Sequence, residues 1–194
     1  MPKGDYLTSI LRSPKTVFTL KDIALLWEEP VSDAARVRLN YYVSKGDLYR
    51  IRKGLYAKSE NYDKFELATR ILTPAYVSFE TVLAREGLIF QYYETIYVAS
   101  YTTRSITIGE QNYAFRKMKY KLLVNSMGVE HVRETSMASK ERAFLDMLYV
   151  SGDYHFDNLR TLHWDSVIQM LPIFDNKRMS QQVNQLFRES QPTT

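Results

Sequence analysis

Apolar residues recur at helical spacing over the first sixty residues, gather in short strand-like runs between residues 95 and 124, and return to helical spacing toward the end. Residues 5–12 predict a first helix with Tyr6, Ile10 and Leu11 on one side, stopped by Ser13-Pro14. Thr19 is a good N-cap for a second helix over 20–27, where Ile23, Leu26 and Trp27 form an apolar stripe. Glu28-Glu29-Pro30 makes a turn, because proline cannot extend a helix and restricts the residue before it. Ser32 or Asp33 caps a third helix whose inner face is Ala35, Leu39, Tyr42 and Val43. Asp33, Arg36, Val37, Asn40, Tyr41 and Ser44 are left facing outward, and Gly46 closes the helix in a left-handed cap. Strands over 48–51 and 55–57 then flank a tight turn at Arg52-Lys53-Gly54.

Helix, turn, helix and short hairpin in that order is the plan of a winged helix-turn-helix. The remaining pattern predicts a helix over 61–72 with Phe65, Ala68, Ile71 and Leu72 on one face, broken at Thr73-Pro74. Ser78 is expected to cap a helix over 79–86. Strands follow over 95–100, 105–108, 113–118 and 120–124, with a hairpin turn at 109–112 and an edge strand over 128–134. Ser139 caps a helix over 140–150 with Ala143, Phe144, Met147 and Leu148 inward. Helices over 159–170 and 177–188 are separated at Pro172, and the tail after Ser190 is expected to fray. The fold class expected is mixed α/β, of the α+β kind. A winged helix-turn-helix over 1–60 leads through a connecting helix over 61–74 into an α/β domain over 75–194, with an antiparallel sheet and C-terminal helices.

Charge sharpens this division. Residues 1–60 carry eleven Lys+Arg against seven Asp+Glu, whereas residues 61–194 carry fifteen of each, so the whole net charge of +4 falls on the first segment. Lys45, Arg50, Arg52, Lys53 and Lys58 crowd together against a single Asp47, a patch that attracts polyphosphate and makes binding salt-sensitive. Arg36 and Asn40 lie one turn apart on the outward face, and such side chains pair with guanine and adenine edges. Arg38 and Lys45 suit phosphates from the flank, and Arg50, Arg52 and Lys53 suit backbone phosphates or the minor groove. The candidate contact set is therefore Ser32, Asp33, Arg36, Val37, Arg38, Asn40, Tyr41, Lys45, Arg50, Arg52 and Lys53, with double-stranded DNA as partner. Solvated surface charge and a protein-docking helix-turn-helix are the competing readings.

Catalytic chemistry is not signalled. No Gly-rich phosphate loop or G-x-S-x-G is present, and His131, His155 and His163 match no zinc spacing. Glu130, Asp153 and Asp157 are the carboxylates a nuclease would recruit, but nothing groups them. Glu141 is expected to support a helix start with a surface ion pair to Arg142. The tyrosines at 92, 93 and 97 suit hairpin packing or an aromatic contact surface. No cofactor and no metal are expected. The absence of cysteine, of a signal-peptide pattern and of any run of about 18 apolar residues points to the cytoplasm without a membrane partner.

Three segments carry a resemblance: VSKGDLYRIRKGLYA over 43–57, PAYVSFETVLAREGLI over 74–89 and SKERAFLDMLY over 139–149. In this order, and over roughly residues 15–190, the chain resembles the AbiEi-type antitoxins, the transcription-regulating half of type IV toxin–antitoxin systems. That resemblance implies a winged helix followed by an α/β antitoxin domain, repression from inverted repeats in the operon's own promoter, and two protein copies per site. It also implies action against a nucleotidyltransferase-like toxin of the AbiEii type, without requiring a stable complex. The family's DNA reader falls on residues 33–45 and 50–54. Its second-domain signature falls on Glu141-Arg142-Ala143 and Leu145-Asp146, read as a charged capping turn before a buried helix face. The toxin's own Gly-Ser and Asp-x-Asp signature is absent, which favours the antitoxin side. The chain is short for the family and ends in polar helices, so a regulator without a toxin is the alternative.

Overall fold

In the computed structural model, which describes residues 5–190, the chain divides into two units, Met1–Leu72 and Thr73–Thr194. The expected fraying after Ser190 lies outside the described residues. Among those residues the architecture is mixed α/β with two sheets, and no helix is long and apolar enough to cross a membrane.

In the first unit, α1 (Asp5–Arg12) buries Tyr6 and Ile10. Leu11, expected beside them, is about half exposed, because one further residue turns the helix by about 100°. β1 (Val17–Thr19) runs directly into α2 (Leu20–Leu26), and Thr19 makes the join. Its hydroxyl accepts from the Asp22 N–H at 3.1 Å while the Asp22 carboxylate accepts from the Thr19 N–H at 2.8 Å, a reciprocal capping box. After α3 (Asp33–Lys45), β2 (Tyr49–Arg52) and β3 (Leu55–Ala57) form a hairpin, and β1 pairs antiparallel with the other side of β3. The strand order is β1-β3-β2. α4 (Lys64–Ile71) begins at an Asp63 cap and buries Glu66, Leu67 and Ala68 rather than the face through Phe65, Ile71 and Leu72. The cause is polar: the Glu66 carboxylate accepts from both the N–H (2.8 Å) and the hydroxyl (2.6 Å) of Thr16, which fastens α4 beside β1.

The second unit is built on a six-stranded mixed sheet. It comprises β4 (Ala75–Val77), β5 (Ile96–Ser100), β6 (Arg104–Ile108), β7 (Gln111–Lys117), β8 (Val129–Val132) and β9 (Thr135–Ala138), in the order β6-β7-β5-β4-β9-β8. This corrects the antiparallel sheet expected from sequence: β5 pairs parallel with β7, and β4 parallel with β9. The helices are α5 (Glu80–Arg85), α6 (Tyr120–Leu123), α7 (Lys140–Val150), α8 (Trp164–Met170) and α9 (Lys177–Ser190), with a 3-10 turn over Leu171–Phe174. Residues 120–124, expected as a strand, form the short helix α6 instead. Residues 159–163, expected as helix, precede α8.

One side chain explains several of these departures. Arg142 is fully buried on α7, not paired with Glu141 at the surface as expected. All five of its N–H donors are engaged. Nε meets Asp146 Oδ1 at 2.9 Å, Nη2 meets the Tyr76 hydroxyl at 2.7 Å and the Leu122 carbonyl at 2.8 Å, and Nη1 meets the carbonyls of Met127 at 2.8 Å and Asn125 at 3.3 Å. Three carbonyls from residues 122–127 thus converge on one guanidinium, which an extended strand could not supply from one edge. Asp146 completes the network by accepting from Tyr76 (3.0 Å) and Ser78 (2.8 Å). Ser78 therefore does not cap α5; Phe79 stands at that position with φ 56° and no side-chain cap, a geometry costing on the order of 1–3 kcal/mol. Burial pushes the Asp146 carboxyl up against the pull of Arg142, and burial together with Asp146 pushes the Tyr76 hydroxyl up.

Removing one partner strands the other as a buried charge. Arg142→Ala or Asp146→Ala is expected to destabilise the second unit by about 3–5 kcal/mol. The joint change Arg142→Met with Asp146→Leu is expected to cost less than the two single losses combined. Denaturant unfolding of the four proteins checks this.

Candidate nucleic-acid interface

α3 owes its limits to its caps. The Ser32 hydroxyl accepts from the Ala35 N–H at 3.2 Å, and Gly46, at φ 79°, directs its N–H back to the carbonyls of Tyr42 and Val43. Asp33 in the first turn and Lys45 in the last both suit the helix dipole. Ala35 and Leu39 are fully buried in a core with Ile10, Phe18, Ile23, Trp27, Leu48 and Tyr56, while Tyr42 and Val43 pack at its margin.

The opposite face is open. Asp33, Arg36, Val37, Asn40, Tyr41 and Lys45 are all exposed. Arg36 points outward with its side chain 58% exposed, and its guanidinium is steadied by Asp33 Oδ1 at 2.9 Å. Such an exposed pair adds little stability, but it limits where the guanidinium points. Val37 and Tyr41, one turn apart, are 69% and 55% exposed. Lys45 Nζ lies 5.8 Å from the Tyr41 ring centroid. Ser32 is partly buried, and its hydroxyl is occupied by capping.

Beyond Gly46 the hairpin carries the remaining cations. Arg50 and Arg52 on β2 and Lys53 at the turn are exposed, and no ion pair engages them among the described residues. Gly54 takes φ 84°, which lets the two-residue turn close. The pairing register slips between Arg50 and Arg52, a bulge that sharpens the local twist. Lys58, part of the same basic run, folds back onto the Ser13 carbonyl and is partly buried.

Arg38 stands apart from the other candidates. Its side chain is 29% exposed, and Nη1 holds Glu29 Oε2 at 2.7 Å. Its guanidinium sits 3.8 Å from the Tyr6 ring centroid and 5.2 Å from that of Trp27. Tyr6 donates to Glu29 Oε1 at 2.5 Å, and the Trp27 indole N–H donates to the Tyr6 carbonyl at 2.9 Å. These contacts clamp α3 to α1 and to the α2–α3 turn, so Arg38 orients the helix rather than extending from it. The sequence carried the acceptor, Glu29, in the turn, but nothing marked it as a partner nine residues ahead of Arg38. A second unforeseen feature is the stack of Tyr49, on the hairpin, upon Tyr62 at 6.3 Å.

The other candidate groups have ordinary partners. Asp157 accepts from the Phe90 N–H at 2.8 Å, His131 meets the Ser136 hydroxyl at 3.2 Å, and Tyr93 packs edge-on against Tyr97. No group of three or more His, Asp or Glu among the described residues is placed to hold a metal ion. Neither a protein-family model nor a characterised protein matches the chain.

The hydrogen bond from Tyr6 and the Arg38 guanidinium hold the Glu29 carboxyl below its ordinary range, and the same bond pushes the Tyr6 hydroxyl up. A depressed carboxyl stabilises the fold above its unfolded value of about 4.3, and that stabilisation fades as pH falls through the folded value. Thermal unfolding of the first unit is therefore expected to lose stability below about pH 4 in the wild type, with a weaker dependence in Glu29→Gln.

Proposed function

We propose that the first unit is a winged helix-turn-helix that binds double-stranded DNA, with α3 in the major groove and the β2–β3 hairpin against the backbone as the wing. The observation that carries this reading is the pairing of a helix locked on one face with a solvent-exposed face bearing Arg36, Asn40 and Lys45 on the other, continuous in sequence with a hairpin bearing Arg50, Arg52 and Lys53. The order α1-β1-α2-α3-β2-β3, with β1 completing the small sheet, supports it. In this reading Arg36 and Asn40 contact base edges, the wing cations and Lys45 contact phosphate, and Arg38 sets the angle of α3.

The resemblance to AbiEi-type antitoxins over roughly residues 15–190 supports the wider proposal: an autorepressor of a type IV toxin–antitoxin operon, acting at inverted repeats as two copies and countering a nucleotidyltransferase-like toxin. Within that proposal the SKERAFLDMLY segment is structural. Its Arg142 and Asp146 hold the core of the second unit together, and they are unreachable by a partner. Co-expression with a nucleotidyltransferase encoded beside this gene tests the antitoxin part: relief of growth arrest supports it, and undiminished arrest leaves a regulator without a toxin.

Mobility-shift titration on the upstream promoter, repeated over a salt series, tests DNA binding. Affinity is expected to fall steeply with salt, and the slope to become shallower by about 2 when Arg52→Ala and Lys53→Ala remove two phosphate contacts. Arg36→Ala is expected to cost about 1–3 kcal/mol on the operator and to relax preference at one position. A folded chain that shifts no duplex at low salt would instead favour protein docking.

A further inference from the structure

We propose that Val37 is a specificity-determining residue that reads a thymine by contact with its C5-methyl group, an inference that rests on the duplex-binding reading above. With a rotation of about 100° per residue, the exposed positions of α3 span one continuous arc. Arg36 lies at one margin of that arc and Lys45 at the other, and Val37 falls at its middle, the position that faces a groove floor most directly. The core does not use this side chain: Ala35 and Leu39, with Tyr42 and Val43, supply the inward contacts of the helix. Local helix stability does not call for it either, since valine is a poorer helix former than alanine. Yet Val37 is 69% exposed, and Tyr41, one turn on, adds a second exposed apolar surface at 55%.

An apolar pair bordered by cations is complementary to one surface in particular. In the major groove the thymine methyl is the apolar group on offer, flanked by acceptor edges and phosphates that suit Arg36 and Lys45. The Asp33 contact draws the Arg36 guanidinium back toward the first turn of the helix, which leaves the level of Val37 uncovered.

The test uses the full-length chain and a short duplex that it selects from a randomised pool. Affinity is measured for that duplex and for copies carrying deoxyuridine at each thymidine in turn, which removes one methyl and changes no hydrogen-bonding group. Wild type is expected to lose about fourfold at one or two positions, the worth of one buried methyl-sized group. Val37→Ala, whose matching thermal unfolding confirms the fold, is expected to lose a similar factor on the parent duplex and to be indifferent to deoxyuridine at those positions. Val37→Thr, which keeps one methyl, falls between them. Deoxyuridine penalties that persist unchanged in Val37→Ala, or the lack of any such penalty in wild type, overturn the assignment while leaving duplex binding intact. A wild-type chain that enriches no duplex overturns this inference and the reading beneath it together.

Discussion

A thirteen-residue helix can offer one face to a partner only if its other face is held still, and in the first unit that task falls to a clamp around Arg38. Buried Ala35 and Leu39 press α3 onto the core, but an apolar stripe by itself leaves rotation and tilt loosely set. The Glu29 carboxylate fixes both by accepting from Tyr6 on α1 and from Arg38 on α3 at once. The guanidinium then lies over Tyr6 and Trp27, with its charge neutralised and its plane packed. The outward direction of Arg36, Val37 and Asn40 follows from that geometry.

The second unit applies the same device more completely. Arg142 satisfies every donor it has, and in doing so gathers β4, α6 with the loop after it, and α7 around one charge, while Asp146 adds Ser78 ahead of α5. The surrounding backbone is bent to serve it: Ser78 gives up its capping role, Phe79 accepts a positive φ, and Gly128 approaches so closely that an added Cβ would lie 2.8 Å from that of Arg142. A network so fully connected fixes a unique arrangement of its elements, whereas a partly satisfied one would destabilise them. In both units an arginine on a helix is turned inward to specify geometry, while in the first unit Lys45, Arg50, Arg52 and Lys53 stay exposed.

What the sequence disclosed and what it concealed divide along the same line. α3 and the hairpin were legible because local chemistry sets them: Ser32 and Gly46 cap the helix, and Gly54 closes the turn. α7 was legible for the same reason, through Ser139. β1 and β4 were missed because they are three residues long and exist only through partners distant in sequence, such as Val17 opposite Ala57, and β9 because it is a four-residue return strand that pairs with β8 just beyond the expected edge strand. The parallel pairing of β5 with β7 is likewise a product of packing rather than of local pattern. Residues 120–124 looked like a strand because apolar runs this short do not separate helix from strand; as helix, the segment aims the Leu122 carbonyl at Arg142. Among the candidate contact residues, Arg36, Val37, Asn40, Tyr41, Lys45, Arg50, Arg52 and Lys53 are exposed as their periodicity and turn positions suggested. Arg38, expected on the flank of the helix, is partly buried and paired with Glu29, a partner across the turn that no local pattern announces.

On the proposed function, the open face of α3 and the adjoining hairpin lie against a duplex. The chain contains no cysteine, so a single substitution can carry a tethered DNA-cleaving reagent at one known place. Ser44→Cys on α3 and Lys53→Cys at the hairpin turn, each bound to the upstream promoter, are predicted to cut within the protected site at separate, fixed positions. Binding that persists while neither position cuts the duplex would place the contact on another surface of the protein.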